Sequence, residues 1–378
     1  MIRRFLTPLL HRSSPPLTHI ALTLLVAWLA ARLCLALAAP LPWMIGPLLA
    51  SAALAMAGGP AASWTPFRNA GQWVIAVALG LYFTPQVVAL IASLWWAIGL
   101  NIAWALALGL GFGYWLHWLH ADSAAGPLQS DSGWRGRFRV AGLSRHTTYF
   151  AGPIGAASEM TLMAERYGAR TDLVASSHAL RVLLVTLIIP FGFQWAGLHG
   201  LDVSPQATGA VDWPGLAVLA LLTGLGCGAM LLLGRTNPWF VGALAVSVLL
   251  TANRINLSAI PQPLINAAQL VIGVSLGVRF TREFVHLAPR WLGSVALASI
   301  VMLLLCAGFA WVLARLAGLH WATMLLATSP GGIAEMAITA KVLQLGVPLV
   351  TAFHVTRLAG VLLLAEPLYR WIEPADPP

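Results

Sequence analysis

The sequence predicts an all-α polytopic membrane protein made of two homologous repeats, with about 10–12 membrane segments and discontinuous or re-entrant helices among them. Three observations carry that expectation. Of 378 residues, 59% are hydrophobic and 9% charged, where a soluble domain carries roughly 25% charged residues. Apolar runs of about 20 residues, each long enough to cross a bilayer, recur from Leu17 to Trp371. The chain also matches itself in several blocks, and in two of them helix-breaking residues precede an acid inside apolar sequence, as in TSPGGIAEM at 328–336.

Taken in order, the chain opens with a basic stretch, MIRRFLTPLLHRSSPP, followed by an apolar run from Leu17 to Ala39. That run is longer than the apolar part of a signal peptide and reads as an uncleaved first helix. Cys34, Cys227 and Cys306 stand singly in apolar runs, which argues against a disulfide framework or a thiolate metal site. GLGFG at 109–113 reads as a glycine-rich helix, because no Lys or Ser/Thr follows in the register of a phosphate loop. His117 and His120, in HWLH, fit a membrane interface better than a metal site. The stretch 119–146, with SGWRGRFR at its centre, has the Gly, Ser, Asp and Arg content of a flexible cytoplasmic linker. The 17 Trp suit interfacial belts.

The internal matches define the repeats. PWMIG (42–46) answers PWFVG (238–242), and QWVIAVALGLYFT (72–84) answers QLVIGVSLGVRFT (269–281). Glu159-Met160 answers Glu335-Met336, and His178-x-x-Arg181 answers His354-x-x-Arg357, with 19 residues from Glu to His and 22 from Glu to Arg in both halves. The repeats are expected at 17–197, enclosing the linker, and 214–372. The breaks differ in one respect. Pro330 stands five residues before Glu335 and Pro153 six before Glu159, so GPIGAASEM reads as carrying one extra residue, and it lacks the Gly-Gly pair.

A duplicated membrane unit with LPWMIGPLLA, a G-x-x-L-G-x-x-F-T segment, SPGGIAEM and a following H-x-x-R resembles the bacterial AbrB-type membrane proteins, whose members are often labelled ammonia monooxygenase or AbrB-like regulator. The resemblance covers nearly the whole chain, and its motifs are specific in combination. It implies an architecture more than an activity.

Depth arithmetic locates the charges. Gly346 lies midway between Glu335 and Arg357, and Arg170 midway between Glu159 and Arg181, each in a turn-like or polar stretch. Each charge is then 11 residues from a turn, roughly 16 Å along a helix and about half of a ~30 Å hydrocarbon core. Buried charge in a membrane pairs or lines a water-filled path. Unwound backbone at that depth must be satisfied by protein or water, and a half-helix starting at Ile333 would aim free N–H groups at the break. Glu159 and Glu335 are therefore expected as proton- or cation-coupling groups. Arg181 and Arg357 are expected to hold a substrate carboxylate or to balance the acids. Backbone at Pro153, Gly155, Ser329, Pro330, Gly331 and Gly332 is expected to line the site. His178 and His354, one turn before each Arg, read as supporting hydrogen-bonders more than as ligands. Structural alternatives stay open: Glu–Arg salt bridges that lock hairpins, and glycines that merely permit close helix packing.

The net charge of +9 bears on orientation more than on nucleic acid. With five crossings and a re-entrant segment per half and the N-terminus inside, 15 basic residues fall inside and 3 outside; six crossings give 11 to 7. The first scheme makes the repeats inverted. Twenty of the 21 basic residues are Arg, which, with abundant Ala, Gly and Pro, points to a bacterial inner membrane. The expected function is a secondary transporter or permease for a small anionic or zwitterionic solute, with its site at the midplane between the repeats. The alternative is a membrane regulator or scaffold affecting gene expression indirectly. No enzyme motif, metal or cofactor is expected, and the monooxygenase label finds no ligand set. Expected partners are the lipid bilayer and a small-molecule or ion substrate, with no direct nucleic acid; the oligomeric state stays open, a homo-oligomer included.

Overall fold

Prolines and glycines cut this apolar chain into helices of unequal length. A computed structural model describes residues 16–120, 143–198, 200, 211–235, 237–287 and 289–372, and every regular element among them is an α-helix. Most of the expected linker, the inter-repeat residues 201–210 and both chain ends lie outside the described residues. The elements are α1 (Leu17–Ala36), α2 (Pro42–Met56), α3 (Thr65–Gly80), α4 (Pro85–Ser93), α5 (Trp95–His120), α6 (Arg145–Ala151), α7 (Ala157–Arg166), α8 (Thr171–Trp195), α9 (Trp213–Leu232), α10 (Pro238–Ala252), α11 (Gln262–Gly277), α12 (Arg282–Leu287), α13 (Pro289–Ala317), α14 (Trp321–Thr328), α15 (Ile333–Val342) and α16 (Val347–Ile372).

Among the described residues six helices are long and apolar enough to cross a membrane: α1, α5, α8, α9, α13 and α16. The number is seven if α3 and α4, bent by 90° at their break, form one span. The chain is a multi-pass membrane protein. Other apolar runs of the sequence fall on shorter helices. The 15-residue α2 and α10 each start with a proline at the first helical position, behind a left-handed Leu41 or Asn237. Proline is tolerated there because its missing N–H has no intrahelical partner.

The chain packs as two compact units, each drawing on both sequence halves: Met1–Ile75 with Pro261–Glu283, and Ala76–Ile260 with Phe284–Pro378. In the first unit α2 packs on α1 and α11. A β-carbon at Gly46 would fall 2.7 Å from Ala30 O, one at Gly273 2.5 Å from Met44 O, and one at Gly277 would collide with Ser51 Oγ and Leu48 O. In the second unit a β-carbon at Gly242 would fall 2.5 Å from Gly226 O, and one at Gly80 would collide with Ser247, whose Oγ donates to Val77 O at 3.0 Å. These glycines belong to the matched sequence blocks, and their partners match as well. Ala30 and Gly226 each precede the motif glycine by 16 residues; Ser51 and Ser247 each follow the motif proline by nine. Small residues at a crossing let backbones approach where hydrophobic burial gives no preference for protein over lipid.

The rest of the second unit surrounds the two broken segments. Helix α8 packs on α13, and α16 on α5. Phe112, Phe150, Met160, Trp291 and Tyr369 fill the core between them, with Trp291 Nε1 donating to Leu173 O at 3.2 Å. Leucines such as Leu225, Leu304 and Leu363 are exposed, as a lipid-facing surface requires. Gly277→Ala is expected to lower stability by about 1–3 kcal/mol through overpacking. Gly228→Ala, where nothing lies within 4 Å, leaves it unchanged or slightly raised. Thermal unfolding in detergent micelles measures both.

Candidate functional site

Both halves interrupt a segment in the same manner. Helix α6 stops at Ala151, residues 152–156 are unwound, and α7 starts at Ala157; α14 stops at Thr328, residues 329–332 are unwound, and α15 starts at Ile333, as the Pro-Gly-Gly sequence predicts. The starts of α7 and α15, their ends, and the starts of α8 and α16 are all 176 residues apart. The unwound stretch is thus one residue longer in the first break, as the sequence reading has it, while the helices beyond the breaks keep a constant register. A constant register pairs Gly155 with Gly331 and Ala156 with Gly332, and only the proline has moved by one position. Backbone conformation separates the breaks more sharply. Gly155 and Ala156 are left-handed, at φ +98° and +53°, whereas Gly332 is extended at φ −79°, ψ 156°.

A short helix that ends at membrane depth leaves carbonyl oxygens without intrahelical donors and a negative dipole end. The two arginines answer both. Arg181 Nη1 donates to Gly152 O at 2.9 Å and Ala151 O at 3.4 Å, and Nη2 to Pro153 O at 2.6 Å. Arg357 Nη1 donates to Ser329 O at 2.6 Å and Thr328 O at 3.5 Å, and Nη2 to Gly331 O at 3.1 Å. Both side chains are 1% exposed. Their charge is held by the backbone of the break, in hydrogen bonds strengthened by that charge. Among the described residues the Nη groups donate to these carbonyls and to a histidine ring nitrogen. In both arginines the Nε–H is buried without a hydrogen-bond partner.

The histidines lock this arrangement. His178 Nε2 lies 2.9 Å from Phe150 O, and His354 Nε2 2.9 Å from Leu326 O. A carbonyl only accepts, so each Nε2 carries the proton. Arg181 Nη2 donates to His178 Nδ1 at 2.7 Å and Arg357 Nη2 to His354 Nδ1 at 2.9 Å. A guanidinium only donates, so each Nδ1 is bare and each imidazole neutral. Both histidines support their arginine.

The acids sit in the first turn of the half-helices beyond the breaks. Glu335 is 8% exposed, and a β-carbon on Gly332 would collide with its Oε2, so the carboxylate lies against the residue that caps α15. Glu159 is only half-buried, behind Ala156, which has a β-carbon. Of the other expected residues, Pro153, Ser329 and Gly331 supply carbonyls to the arginines, Pro330 is buried between them, and Gly155 makes the left-handed turn.

Four contributors were not assigned to the site in the sequence reading. Gly109 and Gly113 of α5 admit the first break: a β-carbon at Gly109 would fall 3.0 Å from Pro153 Cα, and one at Gly113 2.8 Å from Thr148 O. Their spacing of four on one helix face, in GLGFG, is the signal that marks such a crossing. Between them, the Phe112 ring lies 5.5 Å from the Arg181 guanidinium carbon. The fourth, Asn101, is fully buried on α5; its Nδ2 donates to Phe353 O at 3.4 Å and its Oδ1 has no hydrogen-bond partner among the described residues. A lone Asn in an apolar helix gave no hint of its partner. His120 is buried, its ring 5.4 Å from that of Trp291, and among the described residues no three His, Cys, Asp or Glu side chains gather as a metal site would require.

Residues 43–373 match the family model described as "Transition state regulatory protein AbrB". Over 244 residues, 63% of this chain and 69% of the relative, the sequence is 30% identical to a protein of Escherichia coli (strain K12) named "Putative regulator AbrB". Over 360 residues, 87% of this chain and 86% of the relative, it is 25% identical to "Uncharacterized protein YhjN" of Bacillus subtilis (strain 168).

If the arginine's task is to satisfy the break, Arg357→Lys destabilises although it keeps the charge. One ammonium cannot reproduce a planar fork spanning three carbonyls and a ring nitrogen, and each orphaned buried group costs about 1–3 kcal/mol. Exchanging the pair, Glu335→Arg with Arg357→Glu, gives no rescue, because a carboxylate donates nothing to a carbonyl. Thermal unfolding of the single and exchanged variants reads this out; an exchanged protein as stable as the parent would refute the capping role.

Proposed function

The chain belongs to the AbrB family, and we propose that it is a secondary transporter or permease for a small solute, working in a bacterial inner membrane with its site at the two breaks. One observation carries this reading: each break is held open by a buried arginine–histidine pair and is followed within one turn by an acid. Unwound backbone and buried charge both cost free energy in a membrane, and a scaffold gains nothing from them. Discontinuous helices of two repeats with exposed helix ends suit ion and solute binding.

In this reading the halves are inverted repeats, with an odd number of crossings each and the N-terminus cytoplasmic. Support comes from the excess of basic residues on one side in that topology and from the matched partners of the motif glycines, arginines and histidines. Glu159 and Glu335 exchange protons or cations with the two sides. The arginines keep the breaks open and set a positive field. The solute is anionic or zwitterionic, and no enzymatic step is assigned. A second reading, a membrane regulator or scaffold acting on gene expression through partners, is favoured by the names of the family model and of the Escherichia coli relative.

Glu335→Gln is expected to fold and insert but to abolish solute flux in reconstituted vesicles, and Glu159→Gln to reduce it. Flux that survives in both variants and in their combination would sink the coupling role. Orientation is checked separately. Ala196, exposed just beyond α8, faces the outside in the inverted scheme. In a background without the three native cysteines, Ala196→Cys should react with an impermeant maleimide on intact cells; reaction only after permeabilisation would reverse the topology.

A further inference from the structure

We propose that Asn101 and Trp104 of α5 form a binding subsite for a hydroxyl group beside the second break, and that the solute is accordingly a hydroxy acid. The hydroxy acid rests on the transporter reading; the hydroxyl subsite does not. Helix α5 packs on α16 and on α13. A β-carbon at Gly360 would fall 2.6 Å from Ile102 Cγ2, so this glycine lets α16 come close to α5. Across that approach the fully buried Asn101 reaches α16, where its Nδ2 donates to Phe353 O at 3.4 Å. A carbonyl only accepts, which fixes the orientation of the amide. Its Oδ1 is turned from that bond and is buried without a hydrogen-bond partner among the described residues.

Trp104 stands three residues further along α5, so the two side chains are neighbours on the helix surface. Its ring stacks on Phe309 of α13, with centroids 4.7 Å apart and planes 10° from parallel. The indole N–H is buried and makes no hydrogen bond of normal geometry; the Cys306 thiol beside it is a weak acceptor. The Thr356 hydroxyl of α16 donates to Ala352 O at 2.7 Å and so does not serve Oδ1. An acceptor and a donor, one turn apart in apolar surroundings, are thus both left wanting. A buried polar group in that state is costly, and a bound molecule that meets it removes the cost.

One hydroxyl meets both demands. Its hydrogen donates to Asn101 Oδ1, and its oxygen accepts from Trp104 Nε1. A carboxylate has nothing to donate to Oδ1. An ammonium has no lone pair for the indole, and Arg357, a buried cation one turn along α16 from Phe353, disfavours a second positive charge. Two sources supply a hydroxyl: a water molecule that stays, or the solute itself. In the transporter reading it is the solute's, because the same Arg357 braces the break at which the solute binds. The pair then selects an anion that carries a hydroxyl, and rejects both the plain carboxylate and the amino acid.

The test uses the purified full chain in detergent and three probes of similar size, racemic sodium lactate, sodium propionate and alanine, titrated calorimetrically at constant pH and ionic strength. The wild type should bind lactate about tenfold or more tightly than propionate or alanine, the effect of one hydroxyl on a site built to bond it. Asn101→Leu should abolish that preference. Trp104→Phe keeps a ring on Phe309, removes only the N–H, and should weaken lactate while leaving propionate unchanged; it serves alone where the leucine variant is not recovered folded. A lactate preference that survives in both variants overturns the subsite. Equal binding of the probes, or binding of none, removes the hydroxy acid. The subsite then stands as a water site if a high-resolution electron cryo-microscopy map shows density between Asn101 Oδ1 and Trp104 Nε1, and falls if it does not. Flux measurements separate the two ideas. The expected lactate preference, without flux of any solute in wild-type vesicles, upholds the subsite and removes the transporter reading. Flux of a solute that lacks a hydroxyl, with no lactate preference, upholds the transporter and removes the hydroxy acid.

Discussion

A guanidinium bonded to the carbonyl oxygens of a stopped helix is the interaction on which the rest of this structure depends. Helix α14 ends after eight residues and α6 after seven, both against buried surroundings where water is scarce. Without a donor, their last carbonyls would each cost of the order of 1–3 kcal/mol, and the segment would be driven to continue as an unbroken helix. Arg181 and Arg357 remove that drive, and His178 and His354 hold the guanidinium planes in place. The long helices α8 and α16 thereby dictate where the preceding short helices stop. The charge that makes the break tolerable also makes its surroundings positive, so structure and electrostatics come from one side chain.

The two breaks share this support but differ beyond it. The first passes through two left-handed residues, and a β-carbon at Gly109 or Gly152 would collide with the crossing of α5 or crowd it. The second stays extended up to Gly332 and lets its acid fold back. The matched segments share the costly part, the buried arginine and histidine, and differ in the residues just beyond it. One break is closed by packing and the other by its own carboxylate.

Much of this was legible in the letters. The glycines of PWMIG, PWFVG and the LG pairs could be aligned because close backbone contact admits no other residue at those positions. The start of α15 was legible because Pro-Gly-Gly cannot continue a helix. The arginine partners were not. Sequence reasoning sets a positive charge against a negative one, and the acids lay at the right spacing. The carbonyls exposed by a break belong to every residue type alike and leave no letter behind. The number of long helices was blurred for a related reason: in an apolar chain, a 15-residue helix behind a left-handed Leu41 looks like part of a longer run. The roles of Gly109 and Asn101 depend on which helix crosses α5, and one sequence does not state that.

The glycine seams have a consequence for how the protein is made. Helix α2 emerges early, yet the face bearing Leu48 and Ser51 is closed by Gly277, more than two hundred residues later in the chain. The compact unit that begins with α1 is completed only by Pro261–Glu283. During synthesis α1 and α2 therefore wait with an unfilled groove until the translating ribosome has released residues well into the second half. Neither half of the coding sequence specifies a body that can close by itself. A chain truncated between the halves would leave α2 without the α11 surface that packs on it.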